Sequence, residues 1–258
     1  MPIPPLLADL PWYVAAAIPL VLITGYTIFG ATGFGSSIVS VPLLAHIFPL
    51  AFAVPLVTTL DAVAATGSGV RLRRSVAWAE FRRLLPPALI GIALGATLIV
   101  KLPSVYAVLA LGLFVTTYGT YLLAGPRTLR RAPAWLVWPV GVAGGIFSAL
   151  FGSGGPVYMI YLSARITDKA ALRATSAAVV TISAWVRVAA FASAGLLSNP
   201  ALIFLAVTTF PVMLLGLALG NRLHHRLSGA GVLRLIAALL VGNGVTLLVR
   251  ALAELRGD

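Results

Sequence analysis

Two short glycine-rich runs carry the residues best suited to chemistry in this chain. The first reads Gly30-Ala31-Thr32-Gly33-Phe34-Gly35-Ser36-Ser37, and the second reads Phe151-Gly152-Ser153-Gly154-Gly155-Pro156. Glycine lets a backbone leave the helical path. The freed N–H groups, with the positive end of the half-helix that follows, then favour an anion. A bulky Cβ would block that approach. The hydroxyls of Thr32, Ser36, Ser37 and Ser153 add neutral donors. A small oxyanion is therefore expected at Thr32, Gly33, Gly35, Ser36, Ser37, Gly152, Ser153, Gly154 and Gly155. The plainer alternative is that these glycines serve only close helix packing. Thr58 and Thr59, and the similar pair Thr175 and Ser176, follow the breaks and can finish the site. Hydroxyls in membrane helices also bond their own i−4 carbonyls, which is the competing use. Two charges lie deep inside apolar runs. Arg187 offers a guanidinium fork to an anion. Asp61 is a candidate proton-coupling carboxylate, or else the structural counter-ion of Arg187.

The elements that must position these groups are membrane helices. No Lys, Arg, Asp or Glu occurs from Leu10 to Leu60, nor between Arg131 and Arg165. A helix crosses the bilayer core in about 20 residues, so both stretches exceed one crossing. Unwound backbone at that depth survives only where it lines a cavity or is buried in protein. Broken segments at corresponding places of two halves point to a transporter's binding site. Of the 258 residues, 60% are hydrophobic and 9% charged, far from the roughly 25% charged of soluble domains. The expected fold class is an all-α integral membrane protein, a single domain over 1–258, multi-pass in the cell membrane. The 18 basic residues gather in short loops, as the positive-inside rule requires. The net charge of +12 is thus no nucleic-acid footprint. No Lys or Arg precedes Arg71, so no cleaved signal peptide with a basic start is expected.

Apolar segments fall at about 12–29, 36–50, 51–70, 84–100, 104–124, 134–150, 156–164, 172–195, 200–220 and 230–252. Pro42, Pro49, Pro55, Pro86-Pro87, Pro103, Gly125-Pro126, Asn199-Pro200 and Ser228-Gly229 mark the expected turns. No stretch alternates with period two, which argues against a β-barrel.

The halves resemble each other. Gly25, Gly33 and Gly35 fall on Gly144, Gly152 and Gly154 at an offset of 119 residues. Gly91 and Gly95 fall on Gly216 and Gly220 at an offset of 125, and Thr58-Thr59 on Thr175-Ser176 at 117. Loop charges give the handedness. Arg71, Arg73, Arg74, Arg82 and Arg83 face only Glu80, which puts that loop in the cytoplasm. Arg127, Arg130 and Arg131, then Arg165, Lys169 and Arg173, and later Arg222 and Arg226 mark further inner loops, while 196–200 is uncharged. The parity closes only if each glycine-broken segment starts and ends on one side, as a re-entrant hairpin or a tight helix pair. Each half then makes three full crossings. The expectation is two inverted repeats, about 10–124 and 134–252.

Gly33-x-Gly35-Ser36-Ser37 followed by Pro42-Leu43-Leu44 resembles the first signature of the TauE/SafE sulfite-exporter family, and Phe151-Gly152-Ser153-Gly154-Gly155-Pro156 resembles its second. Ser36 and Ser37 stand where the family's usual first motif has a fuller run of glycines. The basic loop with Trp78, then Leu85-Pro86, Gly91 and Gly95, is also similar to that family. The resemblance covers about residues 15 to 252. It implies secondary transport, by alternating access, of small anions: sulfite, organic sulfonates or sulfur-containing carboxylates.

Other classes fit poorly. With no cysteine, disulfides, thiolate metal sites and thiol catalysis are excluded. No phosphate-binding loop of the nucleotide-motor type is present. Ser153 has no histidine in its half before His224, which leaves an intramembrane enzyme without its base. His224-His225 lacks a third ligand, so neither metal nor cofactor is expected. A passive anion channel is the stronger rival, because the membrane potential alone drives anions outward by about 2.3 kcal/mol per charge per 100 mV. The expected partners are a small anionic substrate and the lipid bilayer, with proton coupling and a homo-oligomer left open.

Overall fold

The computed structural model describes residues 11–32, 35–125, 132–223 and 229–257, except the side chains at 32, 68–72, 229–233, 235 and 257. Gly33 and the Thr32 side chain therefore lie outside the described residues, as do Arg127, Arg130, Arg131, Arg226, His224 and His225. Among the described residues the fold is helical without strands. The helices are α1 (Trp12–Thr32), α2 (Ser36–Leu44), α3 (Leu50–Leu72), α4 (Trp78–Lys101), α5 (Ser104–Leu123), α6 (Val137–Phe151), α7 (Gly154–Arg165), α8 (Lys169–Ser193), α9 (Pro200–Leu223) and α10 (Gly229–Gly257). Eight segments are long and apolar enough to cross a membrane; α2 and α7 are too short.

The glycine runs do interrupt helices. Gly152 closes α6 in the left-handed region, at φ 70°, and donates to the Ser148 carbonyl at 2.9 Å. Gly35 opens α2 at φ 100°. An L side chain disfavours both conformations. Several prolines behave differently from the expected turns. Pro42, Pro55 and Pro86-Pro87 lie inside α2, α3 and α4. Neighbouring helices in a packed membrane bundle can satisfy the backbone groups a proline frees, so a proline there does not end the helix. Helix α8 also starts earlier than its apolar run, because Asp168 caps it by accepting from the Ala171 N–H at 2.7 Å.

Packing registers set helix directions. Along α5, Gly112 lies against Gly244 and Leu248, whereas Gly119 lies against Ala237 and Val241, so α5 and α10 run antiparallel. Helices α3 and α8 also run antiparallel, with Thr181 bonding the Ala65 carbonyl and Arg187 reaching Thr58. Helix α4 runs parallel to α6, Gly91 meeting Val142 and Gly145 and Gly95 meeting Ile146 and Ala149. Helix α9 runs parallel to α1 in the same way, Gly216 meeting Ile23 and Tyr26 and Gly220 meeting Thr27 and Gly30. These contacts repeat at the sequence offsets of 125 and 119.

Helix α7 doubles back along α6. Its last residue, Arg165, bonds the carbonyl of Ala132 just ahead of α6 at 3.3 Å, so the pair ends where it began. Helix α2 likewise returns along α1, with Ser40 against Gly25. At the far end of α2, His46 Nε2 meets Asn243 Oδ1 of α10 at 2.8 Å. The main apolar core surrounds α1 to α3, and a smaller cluster of Phe81, Leu84, Tyr158, Tyr161 and Leu162 packs the basic end. Large apolar side chains such as Leu113, Val207 and Val249 face outward, as lipid contact requires.

Candidate functional site

The two breaks meet. A Cβ built on Gly152 would lie 2.6 Å from the Ser37 Cβ and 3.6 Å from Arg187 Nη1. Between them is a cavity lined by Gly35, Ser36, Ser37, Gly152, Ser153, Gly155, Asp61 and Arg187, with Phe29, Ile38, Pro156 and Val180. Its volume is about 20 Å³. That is room for about one water, and too little for a sulfur oxyanion without movement of the walls.

Asp61 sits midway along α3 and is only 4% exposed. Its Oδ1 accepts from Ser36 Oγ at 2.6 Å and from Tyr26 OH at 3.0 Å, and its Oδ2 accepts from Ser37 Oγ. A buried carboxylate is tolerable only with such donors around it. The Ser36 and Ser37 hydroxyls, expected to face a substrate anion, here face an anion of the protein itself. Arg187 is 2% exposed. Its Nη1 donates to Thr58 Oγ1 at 3.1 Å and to the Ser148 carbonyl at 2.8 Å, and its Nε donates to the Ser183 carbonyl at 3.4 Å. Arg187 thereby ties α8 to α3 and α6. Among the described residues no direct ion pair joins Arg187 to Asp61; the nearest bonded link is Thr58, one turn from Asp61 on α3.

The cavity thus gathers Gly35, Ser36, Ser37, Asp61, Gly152, Ser153, Gly155 and Arg187, with Thr58 joined through the guanidinium. Within it, the Ser153 hydroxyl turns back to its own loop and donates to the Phe151 carbonyl at 3.0 Å. The remaining candidates lie elsewhere. Gly154 faces α6, where a Cβ would stand 2.5 Å from the Gly144 carbonyl, so its smallness serves the packing of the hairpin. Thr59 bonds the Pro55 carbonyl at 2.9 Å. Thr175 bonds the Ala171 carbonyl and accepts from the Ala77 N–H at 2.9 Å, near the basic end. Ser176 reaches Met159 Sδ at 3.6 Å. The threonine and serine pair of the second half is spent on other backbone and side-chain partners because it sits near the start of α8, about three turns short of Arg187.

Sequence reasoning missed Tyr26, Ser148, Ser183 and Tyr158. One signal was available for Tyr26, since a buried tyrosine in an apolar run needs a partner for its hydroxyl. Ser148 acts through its backbone carbonyl, which no residue type announces.

Comparison with known proteins places the chain in a family. Residues 17–247 match the family described as "Sulfite exporter TauE/SafE". The chain is similar to the "Probable inner membrane transporter protein TsaS" of Comamonas testosteroni, with 28% identity over 193 residues, 74% of this chain and 81% of that protein. No solved structure matches it. The match runs from α1 through most of α10 and takes in both glycine breaks, so the chain belongs to the sulfite exporter TauE/SafE family of multi-pass membrane transporters.

Proposed function

We propose that this transporter exports small sulfur-containing anions, sulfite or organosulfonates and related carboxylates, by alternating access at the cavity between its two glycine breaks. One observation carries this reading: both breaks, far apart in sequence, close on a single buried cavity that holds a guanidinium. An anion entering there gains the positive charge of Arg187, whose Nη2 has no hydrogen-bond partner among the described residues. To gain the Ser36 and Ser37 hydroxyls as well, it must take them from Asp61. Protonation of Asp61 weakens its hold on those hydroxyls, which links substrate binding to a proton.

Saturable flux and counterflow are the expected behaviour in reconstituted vesicles. Preloaded unlabelled sulfite should drive transient accumulation of labelled sulfite above its equilibrium level. Linear, non-saturating flux without counterflow would identify a passive channel and reject the carrier.

The two halves are proposed as inverted repeats, each a hairpin followed by three crossings. Supporting this are the antiparallel course of α5 against α10 and of α3 against α8, the repeated registers of α4–α6 and α9–α1, and the return of α7 to Ala132. Cysteines placed at Trp12 and Ala134, ahead of the two hairpins, should then react with a membrane-impermeant thiol reagent from opposite faces. The chain has no native cysteine to confuse the result. Reaction of both from one face would reject the inversion.

A further inference from the structure

Buried polar atoms without a partner are rare, and they are costly at membrane depth, where water cannot reach them. Among the described residues four such side-chain atoms occur: Ser40 Oγ, Tyr158 OH, Ser183 Oγ and Arg165 Nε. They are not scattered. Ser40 lies one turn beyond Ser36 and Ser37 on α2, and the other three lie on the opposite side of the breaks, toward the basic end. Ser183 and Tyr158 are each only 1% exposed. Ser183 is one turn below Arg187 on α8, and its carbonyl already accepts from the guanidinium. The Tyr158 ring packs on Gly144, and its hydroxyl lies beside the Ser183 and Ser148 side chains, in the field of Arg187. Two hydroxyls and a guanidinium therefore converge from α7 and α8; the hydroxyls have only neighbouring hydroxyls beside them, and no charged acceptor among the described residues bonds them.

Further along the same side, Arg165 closes α7. Its Nη2 donates to Glu80 Oε1 at 2.9 Å, and Tyr161 OH donates to Glu80 Oε2 at 3.2 Å. Glu80 on α4 is thus held by two cations, Arg165 and the more exposed Arg83 at 3.1 Å, and by a phenol, its contacts on α7 lying about one to two turns from Tyr158. Arg165 Nε is left without a partner in the same place.

We propose that Tyr158, Ser183 and the inner edge of Arg187 form a second anion subsite, where substrate is received from the cytosol. Arg165 is its mouth, and Glu80 holds that mouth shut until an incoming anion replaces it. The ligand class is a sulfite or sulfonate group, whose several oxygens accept from hydroxyl and guanidinium donors together. This inference rests on the carrier reading given above and adds the inner half of the route. Lipid does not explain the orphaned hydroxyls, because a lipid tail offers no acceptor.

The test uses the full chain in inside-out vesicles. Ser183→Cys is compared with Ile182→Cys, its outward-facing neighbour on α8, 37% exposed. The probe is 2-sulfonatoethyl methanethiosulfonate, a thiol reagent that itself carries a sulfonate. Ser183→Cys should label at least tenfold faster than Ile182→Cys, methanesulfonate should slow that labelling severalfold, and adding Glu80→Gln should accelerate it severalfold. Labelling of Ser183→Cys no faster than Ile182→Cys, in both Glu80 and Glu80→Gln backgrounds, would overturn the subsite. Labelling that methanesulfonate does not slow would overturn it as an anion site, and labelling indifferent to Glu80→Gln would overturn the latch. Reaction rates are read without any flux, so loss of the carrier reading would show separately, as wild-type vesicles without anion transport.

Discussion

Arg187→Ala is expected to lower anion flux at least a hundredfold and to reduce folded yield as well. The guanidinium joins three helices through Thr58, the Ser148 carbonyl and the Ser183 carbonyl. Alanine removes those bonds and leaves the carboxylate of Asp61 buried with hydroxyl donors only. A buried charge deprived of its compensating charge destabilises by about 3–5 kcal/mol. Without a direct ion pair the penalty here should sit at the lower end, because Tyr26, Ser36 and Ser37 still solvate Asp61. The double change Arg187→Ala with Asp61→Ala should then recover part of the yield and none of the flux. Asp61→Asn alone keeps the shape of the side chain and should preserve substrate exchange while removing pH-driven accumulation. Folded yield in detergent and flux in vesicles, measured for these variants together, test the assignment. Recovery of flux by the double change would reduce Arg187 to a structural partner of Asp61.

Gly152→Ala should be far more damaging than Gly35→Ala, although both glycines occupy the left-handed region within their breaks. At Gly152 the backbone φ of 70° disfavours any L side chain, and the new Cβ would stand 2.6 Å from the Ser37 Cβ and 2.8 Å from its Oγ. Left-handed backbone alone costs roughly 1–2 kcal/mol. The clash then pushes Ser37 off Asp61 and pries apart the two breaks at their point of contact. Flux should fall by at least thirtyfold, which corresponds to about 2 kcal/mol. At Gly35 the neighbours begin only at 3.7 Å, with Ile38, so a methyl group fits and only the backbone strain remains. A several-fold loss is expected there. Equal losses at the two positions would mean that backbone strain governs both and that contact between the breaks contributes nothing.

Much of this protein is legible in its amino-acid sequence alone. Membrane residence and helical class follow from composition and from apolar stretches longer than a crossing, which are properties each segment carries by itself. The helix breaks are legible for the same reason: at Gly35 and Gly152 only glycine readily adopts the observed backbone, so its presence is a local signal. The side expected of each loop rests on where the arginines cluster, since charge resists burial in lipid wherever the rest of the chain goes.

The partners of the polar side chains were decided only by the tertiary structure. Ser36 and Ser37 look like free donors in the sequence, yet Asp61, 25 and 24 residues away, claims both. Arg187 takes its contacts from residues 129 and 39 positions off, one of them a backbone carbonyl. Thr175 repeats Thr58 in type and not in use, because the Ala77 N–H needed an acceptor where α8 passes it. Hydrophobic patterning could not foresee these choices, since lipid and protein core are equally apolar and a buried helix face reads like an exposed one. In that low-dielectric interior a polar group must bond whichever partner the fold brings within reach. The amino-acid sequence therefore determined which groups would need partners, and the packing of α1 to α3 against α6 to α8 determined which partners they found.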